Sequence, residues 1–445
     1  MRREDFAPDT DIVFDAAVVG AGFAGLSATE KLIESPLVKD VLLLEGRGQV
    51  GGRASDGPDG PRGAELVYSQ PVINLARRHG LHVEMRPDEW EGSYILSAEG
   101  KFSKADSLGL FSGKHPHEVL ESMKVDLCAQ RNNISVEDFL SRGMSRTYND
   151  LQECEQSFIR RLIEGEYAAD LSDIGIASFQ LNSDTFTSET VGRIPDGGYG
   201  ALAKRMAIDL RRLGVRQRCN AIVESVSKIG DQFTISVRGE KKCFTARSVV
   251  MAVPSTVIHH GNIELPCKVP DALENIGQGN ACKVLCSFDT PPWPEDFHFG
   301  YSMRAPFCYA WTRSEGSRHT LTLYVSGNDA DDFQEMIAQQ GGRKQAIRQI
   351  RAGVVAMFPD AQRTLKDEKI SIVPWKLMPQ SKMSYGFIKA DNKPMKKADG
   401  NCLVTSLPNL VLAGEAYANS TVDGAIRSGM EAAEHIRSLL AGQRH

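Results

Sequence analysis

The sequence predicts an α/β fold, a Rossmann-like unit joined to a second unit of mixed sheet and helices. Three observations lead there. The stretch AAVVGAGFAGLSATEKL, Ala16 to Leu32, sets an apolar run before three closely spaced glycines and then a helical pattern. A second apolar run, Val41 to Leu44, ends in an acid, Glu45. At 445 residues and 41% apolar content the chain is too long for one ordinary core, so two domains are the expectation.

Phe14 to Val19 reads as a buried strand, and Leu26 to Ile33 as a helix with Leu26, Leu32 and Ile33 on one side. The glycines therefore sit at a strand-to-helix turn, with Phe23 and Ala24 between the second and third. Gly20 permits the tight turn, Gly22 lets backbone approach a pyrophosphate at the helix N-terminus, and Gly25 lets helix and strand pack closely. Glu45 follows Gly25 by 20 residues, the place of an acid that holds ribose hydroxyls. With no basic residue at the ribose position to favour a 2′-phosphate, the loop suits FAD or NAD(H) over NADP.

The net charge of −5, with cations scattered among acids, gives no basic face for nucleic acid. The N-terminal MRREDFAPDTD lacks the apolar core of a signal peptide, and no run approaches the roughly 18 apolar residues of a membrane helix. A cytoplasmic protein with reduced, mostly buried thiols is expected. The nine cysteines form no CxxC pair, and Cys282 and Cys286 share an apolar, strand-like run. No Ser-His-Asp or metal-ligand cluster is evident, and adjacent His259 and His260 would point to opposite faces of any strand.

Gly46 and Arg47 follow the acid, and then comes GQVGGRA, which resembles the GGR element of flavin amine oxidases, flavoproteins of the glutathione-reductase type. By that resemblance Gly51, Gly52 and Arg53 contact the pyrophosphate, and the cofactor is FAD. Three further stretches resemble the monoamine and polyamine oxidase family: PRGAELVYSQPVINLARRHGL, RIPDGGYGALAKRMA and NLVLAGEAYANSTVDGAIRSGMEAAEHIRSLL. The likeness spans the chain and is weakest from about residue 100 to 185. It implies an FAD-binding domain of residues 1–76, 192–264 and 396–445, interleaved with a substrate-binding domain of 77–191 and 265–395. Strand signals fall at Ala221 to Val226, Phe233 to Val237, Ser248 to Val253, Cys282 to Phe288 and Thr320 to Val325. Residues 115–170 read as helices, with Ser135 and Asp138 in a capping-box pattern. A further helical stretch, Phe333 to Phe358, breaks at Gly341 and Gly342.

The resemblance also assigns roles. Gly414, Glu415, Val422 and Ala425 match a signature whose acid meets the ribityl chain and whose helix turns its positive N-terminus to the pyrimidine end of the flavin. Val223 matches a valine whose backbone meets the adenine; a plain strand residue is the alternative. Trp375 starts the flavin-facing loop. Lys283 matches a lysine that holds a water beside flavin N5, although a lysine among Ala281, Val284 and Leu285 could instead snorkel to a solvated sheet face. Tyr385 coincides with one aromatic wall of the substrate cage, or packs ordinarily. The second wall falls on Thr421, which leaves the cage half open. Ser384 replaces the cysteine of a covalent flavin bond, so FAD is expected to be non-covalent. Leu66 takes the place of the carboxylate-clamping arginine of amino-acid oxidases, with Arg193 or Arg304 as substitutes, and Tyr68 takes that of a polyamine oxidase histidine.

These readings converge on an FAD-dependent amine oxidase. It would convert the C–N bond of a small amine to an imine, pass the electrons to oxygen and release peroxide, with no metal, nucleic acid or membrane span; a homodimer is allowed. The alternatives are an L-amino-acid oxidase or monooxygenase of the same superfamily, a carotenoid-type desaturase or isomerase, and a non-catalytic flavoprotein subunit.

Overall fold

The first apolar run forms the strand Val13–Val19, whose side chains enter the core on both faces: Ala16 and Val18 on one, Ala17 and Val19 on the other. Burial on both sides is what a central parallel strand requires. The computed structural model describes residues 12–87, 93–182, 190–195, 197–304, 306–391, 400 and 402–442. In it this strand lies parallel to both Val41–Leu44 and Phe244–Met251, with Arg216–Arg218 beyond the former. Phe244–Met251 divides its other edge between two neighbours. Its first half pairs antiparallel with Gln232–Val237, and its second half parallel with Leu410–Leu412. Val223–Ile229 and Leu403–Val404 complete an eight-stranded sheet. Helices Phe23–Ile33, Gly198–Arg212 and Val422–Gly442 contribute to the core on one face. The glycine turn stands at the C-terminal end of the central strand, between its two parallel neighbours, where open α/β sheets bind ligands.

A second, seven-stranded sheet runs in the order Ile370–Pro374, Ala281–Phe288, Arg318–Ser326, Tyr309–Glu315, Phe299–Ser302, Ser93–Leu96 and Phe102–Lys104. It is antiparallel except where Phe299–Ser302 meets Ser93–Leu96. Alternation along Ala281–Phe288 sends Cys282, Val284 and Cys286 to helices Gly327–Ala338 and Gly342–Met357, and leaves Ala281 and Lys283 on the opposite face. Helices Pro116–Cys128, Val136–Ser141 and Glu153–Tyr167 build a separate apolar cluster around Phe139, Phe158 and Ile163.

The structure corrects several boundaries. The helix predicted from Leu26 begins at Phe23. The strand signal at Ala221 starts at Val223, because Asn220 takes a left-handed φ of 57° and Asn220 and Ala221 donate to Arg47 O and Glu45 O, outside the ladder. The strand placed at Ser248 begins at Phe244; its polar Thr245 and Arg247 mask the first half, although Thr245 pairs with neighbours on both edges. The break at Gly341 holds, with φ 76°. Ser135 Oγ accepts from Asp138 N at 3.0 Å, but the Asp138 carboxylate takes Arg142 at 3.0 Å, so the capping box is one-sided. His259 and His260 end a helix, Ser255–His259, and are not in a strand. Of the described cysteines Cys282, Cys286 and Cys308 are buried, four are half-buried and Cys154 is exposed, so the thiols are not mostly buried. None of the described helices is long and apolar enough to cross a membrane.

His79 closes helix Gln70–Arg78 and joins three elements, with Nδ1 2.8 Å from Asp209 and Nε2 3.2 Å from Glu30. Hydrogen bonding to Glu30 and Asp209 outweighs burial and raises its pKa above the ordinary value near 6.5. A raised folded-state pKa gives stability that is complete below the unfolded value and is lost as pH rises through the folded one. Thermal melts of the wild type should therefore fall between pH 6.5 and the folded-state pKa. His79→Leu should flatten that part of the profile, and a parallel decline in both proteins would exclude His79 as its source.

Candidate active site

A cavity of about 620 Å³ is lined from both sheets, within the usual size of cofactor and ligand pockets. Every residue expected to meet the cofactor or to flank the reaction lines it except Gly25. Gly25 stands behind the turn, where a Cβ would come within 1.8 Å of Gly20 O. Gly20 itself has φ 102°, and a Cβ there would lie 2.4 Å from Ala252 O. The helix that follows uses Gly22 as its N-cap and has no side-chain cap, so its first N–H groups remain for an anion. Gly52, with φ 57°, brings the second glycine turn against the first, since a Cβ on it would stand 3.1 Å from Gly22 Cα.

Glu45 is buried at the end of Val41–Leu44, its Oε2 accepting from Ala21 N at 2.8 Å and its Oε1 from Arg47 N at 2.9 Å. Burial raises its pKa, and the two N–H donors oppose the shift. Each oxygen keeps acceptor capacity for a hydroxyl. The Arg47 guanidinium turns to Gly52 O. Arg53 forks onto Glu415, with Nη1–Oε1 2.9 Å and Nη2–Oε2 2.5 Å, and also donates to Ser384 O at 2.6 Å. Ser384 Oγ donates to Gly279 O at 2.7 Å. Trp375 Nε1 donates to Arg62 O at 3.2 Å. Thr421 Oγ1 accepts from Gly424 N at 3.1 Å, which caps the helix that begins at Val422.

Lys283 is 3% exposed and points to the cavity, not to a solvated face. Its partner is an acid that sequence reasoning passed over. Glu65 Oε2 accepts from Lys283 Nζ at 2.8 Å and from Trp311 Nε1 at 2.9 Å, and Nζ also donates to Gly63 O at 3.1 Å. The lysine rests over the Trp311 ring, 5.0 Å from its centroid.

The aromatic wall extends beyond Tyr385. Tyr385 donates to Gly165 O at 3.0 Å, and its oxygen stands 2.5 Å from the Tyr324 hydroxyl. Tyr324 lies directly opposite Lys283 in the antiparallel ladder, so Lys283, Tyr324, Tyr385 and Trp311 converge on one surface. Tyr324 and Glu166 were missed as well; Glu166 lines the cavity with Oε1 2.8 Å from His117 Nε2. Neither proposed substitute for the clamping arginine lines the cavity. Arg193 donates to Thr312 O at 2.8 Å, and Arg304 is exposed.

A family model described as flavin-containing amine oxidoreductase matches residues 23–437. The chain belongs to that family. This amine oxidoreductase is 24% identical to polyamine oxidase 2 of Arabidopsis thaliana over 94% of its own length and 87% of the relative's. A putrescine oxidase solved with putrescine bound shares its fold, with a TM-score of 0.77 at 20% identity over 96% of this chain and 99% of that one. A cyclohexylamine oxidase from Brevibacterium oxydans IH-35A gives 0.73 at 16% identity over 97% and 100%. The amine oxidoreductase is an FAD-dependent enzyme acting on amines. The uncapped helix, the facing glycine turns and the buried Glu45 fit that cofactor.

Proposed function

We propose that the enzyme oxidises an amine carrying a second cationic nitrogen, a di- or polyamine, at a C–N bond, with oxygen as electron acceptor and peroxide as product. Glu166 carries the choice of substrate class. It places a carboxylate on the cavity wall one residue from Gly165, whose carbonyl fixes Tyr385, and a second ammonium seeks such a partner. The names of the polyamine and putrescine oxidases support the same class.

In the proposed arrangement the N–H groups around Gly20, Gly22, Phe23 and Ala24 and the turn at Gly51, Gly52 and Arg53 face the pyrophosphate, Glu45 the ribose, and Val223 the adenine. Glu415, Trp375 and the helix opening at Val422 border the flavin. The same reading divides the chain into an FAD-binding unit, 1–76, 192–264 and 396–445, and a substrate unit between those segments, which is supported by the eight strands of the first sheet all falling in the former.

FAD, when bound, supplies the two-electron acceptor for the hydride equivalent leaving the carbon beside nitrogen. The chain's own residues prepare that transfer. Tyr385, Tyr324 and Trp311 present ring surface that excludes water and favours the neutral form of the reacting amine. Lys283 spends two of its three donors on Glu65 and Gly63, which leaves one for a water at the cavity wall. Water then hydrolyses the released imine.

The substrate class is tested by mixing oxidised enzyme without oxygen against putrescine, spermidine and butylamine and following flavin bleaching. The diamine should react at lower concentration than butylamine. Glu166→Gln should raise the concentration needed for putrescine by on the order of ten- to a hundredfold, the scale of a hydrogen bond to a charged group, and leave butylamine unchanged. Equal loss for both amines would remove Glu166 from substrate recognition. Acid precipitation should release FAD intact into the supernatant, because Ser384 offers no thiol for attachment; yellow colour in the pellet would contradict this.

A further inference from the structure

Glu65 is the acid at the centre of a strongly cationic cluster. Its side chain is 2% exposed, Lys283 and Trp311 share Oε2, and the guanidiniums of Arg313 and Arg193 stand 3.6 Å and 3.8 Å from Oε1. One carboxylate thus faces three cations. A second acid, Glu315, accepts from Arg313 Nε at 2.7 Å at the partly exposed edge of the cluster, and a third, Asp56, accepts from Gly200 N at 3.1 Å, so Glu65 is the acid that touches Lys283 itself. Across the ladder from Lys283 stand Val373 on one side and the Tyr324 phenol on the other, and neither supplies a negative charge.

We propose that Glu65 is a positioning residue for amine oxidation: its carboxylate fixes the Lys283 ammonium at the cavity wall and keeps it charged beside two arginines. The inference rests on the reading of Lys283 as the group that works beside the flavin.

The argument turns on which group yields when the anion is removed. Guanidinium groups do not release their protons in proteins, so in a cluster of two arginines and a lysine only Lys283 can relieve the repulsion. Burial already lowers the proton affinity of Lys283, and Glu65 opposes that shift. Burial raises the pKa of Glu65, but Lys283 and Arg193 outweigh it and hold the carboxyl at about 2, so the anion persists across the working pH range. Asp56, pushed up to about 6 by burial, cannot replace it in acid. The geometry is equally dependent on Glu65. Gly63 O and the Trp311 ring touch the ammonium, but Glu65 also orients the indole through Nε1.

The test compares holoenzymes of the wild type, Glu65→Gln, Glu65→Asp and Lys283→Met. Each is reduced anaerobically with dithionite, mixed with oxygen and followed for flavin reoxidation from pH 5 to 10. The visible spectrum of the oxidised bound FAD is titrated over the same range. In Glu65→Gln the basic limb of the profile and the accompanying spectral transition should move down by about one pH unit or more, the size expected when a close counter-charge is lost. Glu65→Asp keeps the charge at a longer reach and should move them less. Lys283→Met should lack both. A Glu65→Gln profile that overlays the wild type, with Lys283→Met lacking the limb, would overturn the role of Glu65 and leave that of Lys283 standing. A Lys283→Met enzyme that keeps the limb would overturn both. If Glu65→Gln does not hold FAD, the aspartate variant decides: an unmoved limb refutes the proposal.

Discussion

An amine should bleach the bound flavin on the order of a hundredfold faster than its parent amino acid, because a carboxylate entering this cavity finds no free cation to receive it. Leu66 lines the wall at the place where amino-acid oxidases are expected to carry an arginine. The cationic side chains lining the cavity among the described residues are already engaged: Arg47 with Gly52 O, Arg53 with Glu415, Arg238 with Glu224, Lys283 with Glu65 and Lys382 with Asn262. Burying a carboxylate without a partner costs several kcal/mol, and about 1.4 kcal/mol is a factor of ten. Anaerobic stopped-flow mixing against matched pairs, each an amino acid and its decarboxylated amine, reads the ratio directly. Faster bleaching by the amino acid across the pairs would reverse the assignment and favour an amino-acid oxidase.

Gly25→Ala should yield a protein that melts far below the wild type and is isolated without FAD. The new Cβ would stand 1.8 Å from Gly20 O and 3.3 Å from Ala252 Cβ. The first of these is backbone, so the helix must leave the sheet or the turn must change shape. Overpacking of this kind costs typically 1–3 kcal/mol and often more against rigid backbone, and here the displaced peptide is the one that forms the turn. Gly22→Ala is the contrasting case. Its Cβ would meet only Gly52 Cα, at 3.8 Å, while standing on the cavity wall. That variant should keep its melting behaviour as apoprotein and lose FAD affinity alone. Full FAD content in Gly25→Ala would show that the turn adapts.

Local pattern made the first half of the site readable. A strand, three glycines and a following acid are written within about thirty consecutive residues, and each acts through the backbone next to it. Glu65, Tyr324 and Glu166 escaped because what makes them important is a partner far along the chain: Lys283 for Glu65, Tyr385 for Tyr324 and His117 for Glu166. The alternation around Lys283 and around Tyr324 is visible in each strand. The register that sets one opposite the other is a tertiary fact that no single-strand pattern contains. Thr421 shows the converse. Its sequence position implied a gap in an aromatic cage; that its hydroxyl caps a helix, and that the Tyr324 ring of strand Arg318–Ser326 also lines the cavity, are facts of the folded chain.

The divided edge of Phe244–Met251 has a consequence for biosynthesis. Val13 pairs with Thr245, and Leu410 pairs with Val249, so the glycine turn made first emerges from the ribosome long before the strands that hold its sheet together. Until Leu410–Leu412 arrives, Phe244–Met251 presents bare backbone beside an apolar surface, the kind of edge that invites pairing with another chain. Translation therefore delivers a sheet whose Val249–Met251 edge stays open until Leu410–Leu412 has been made.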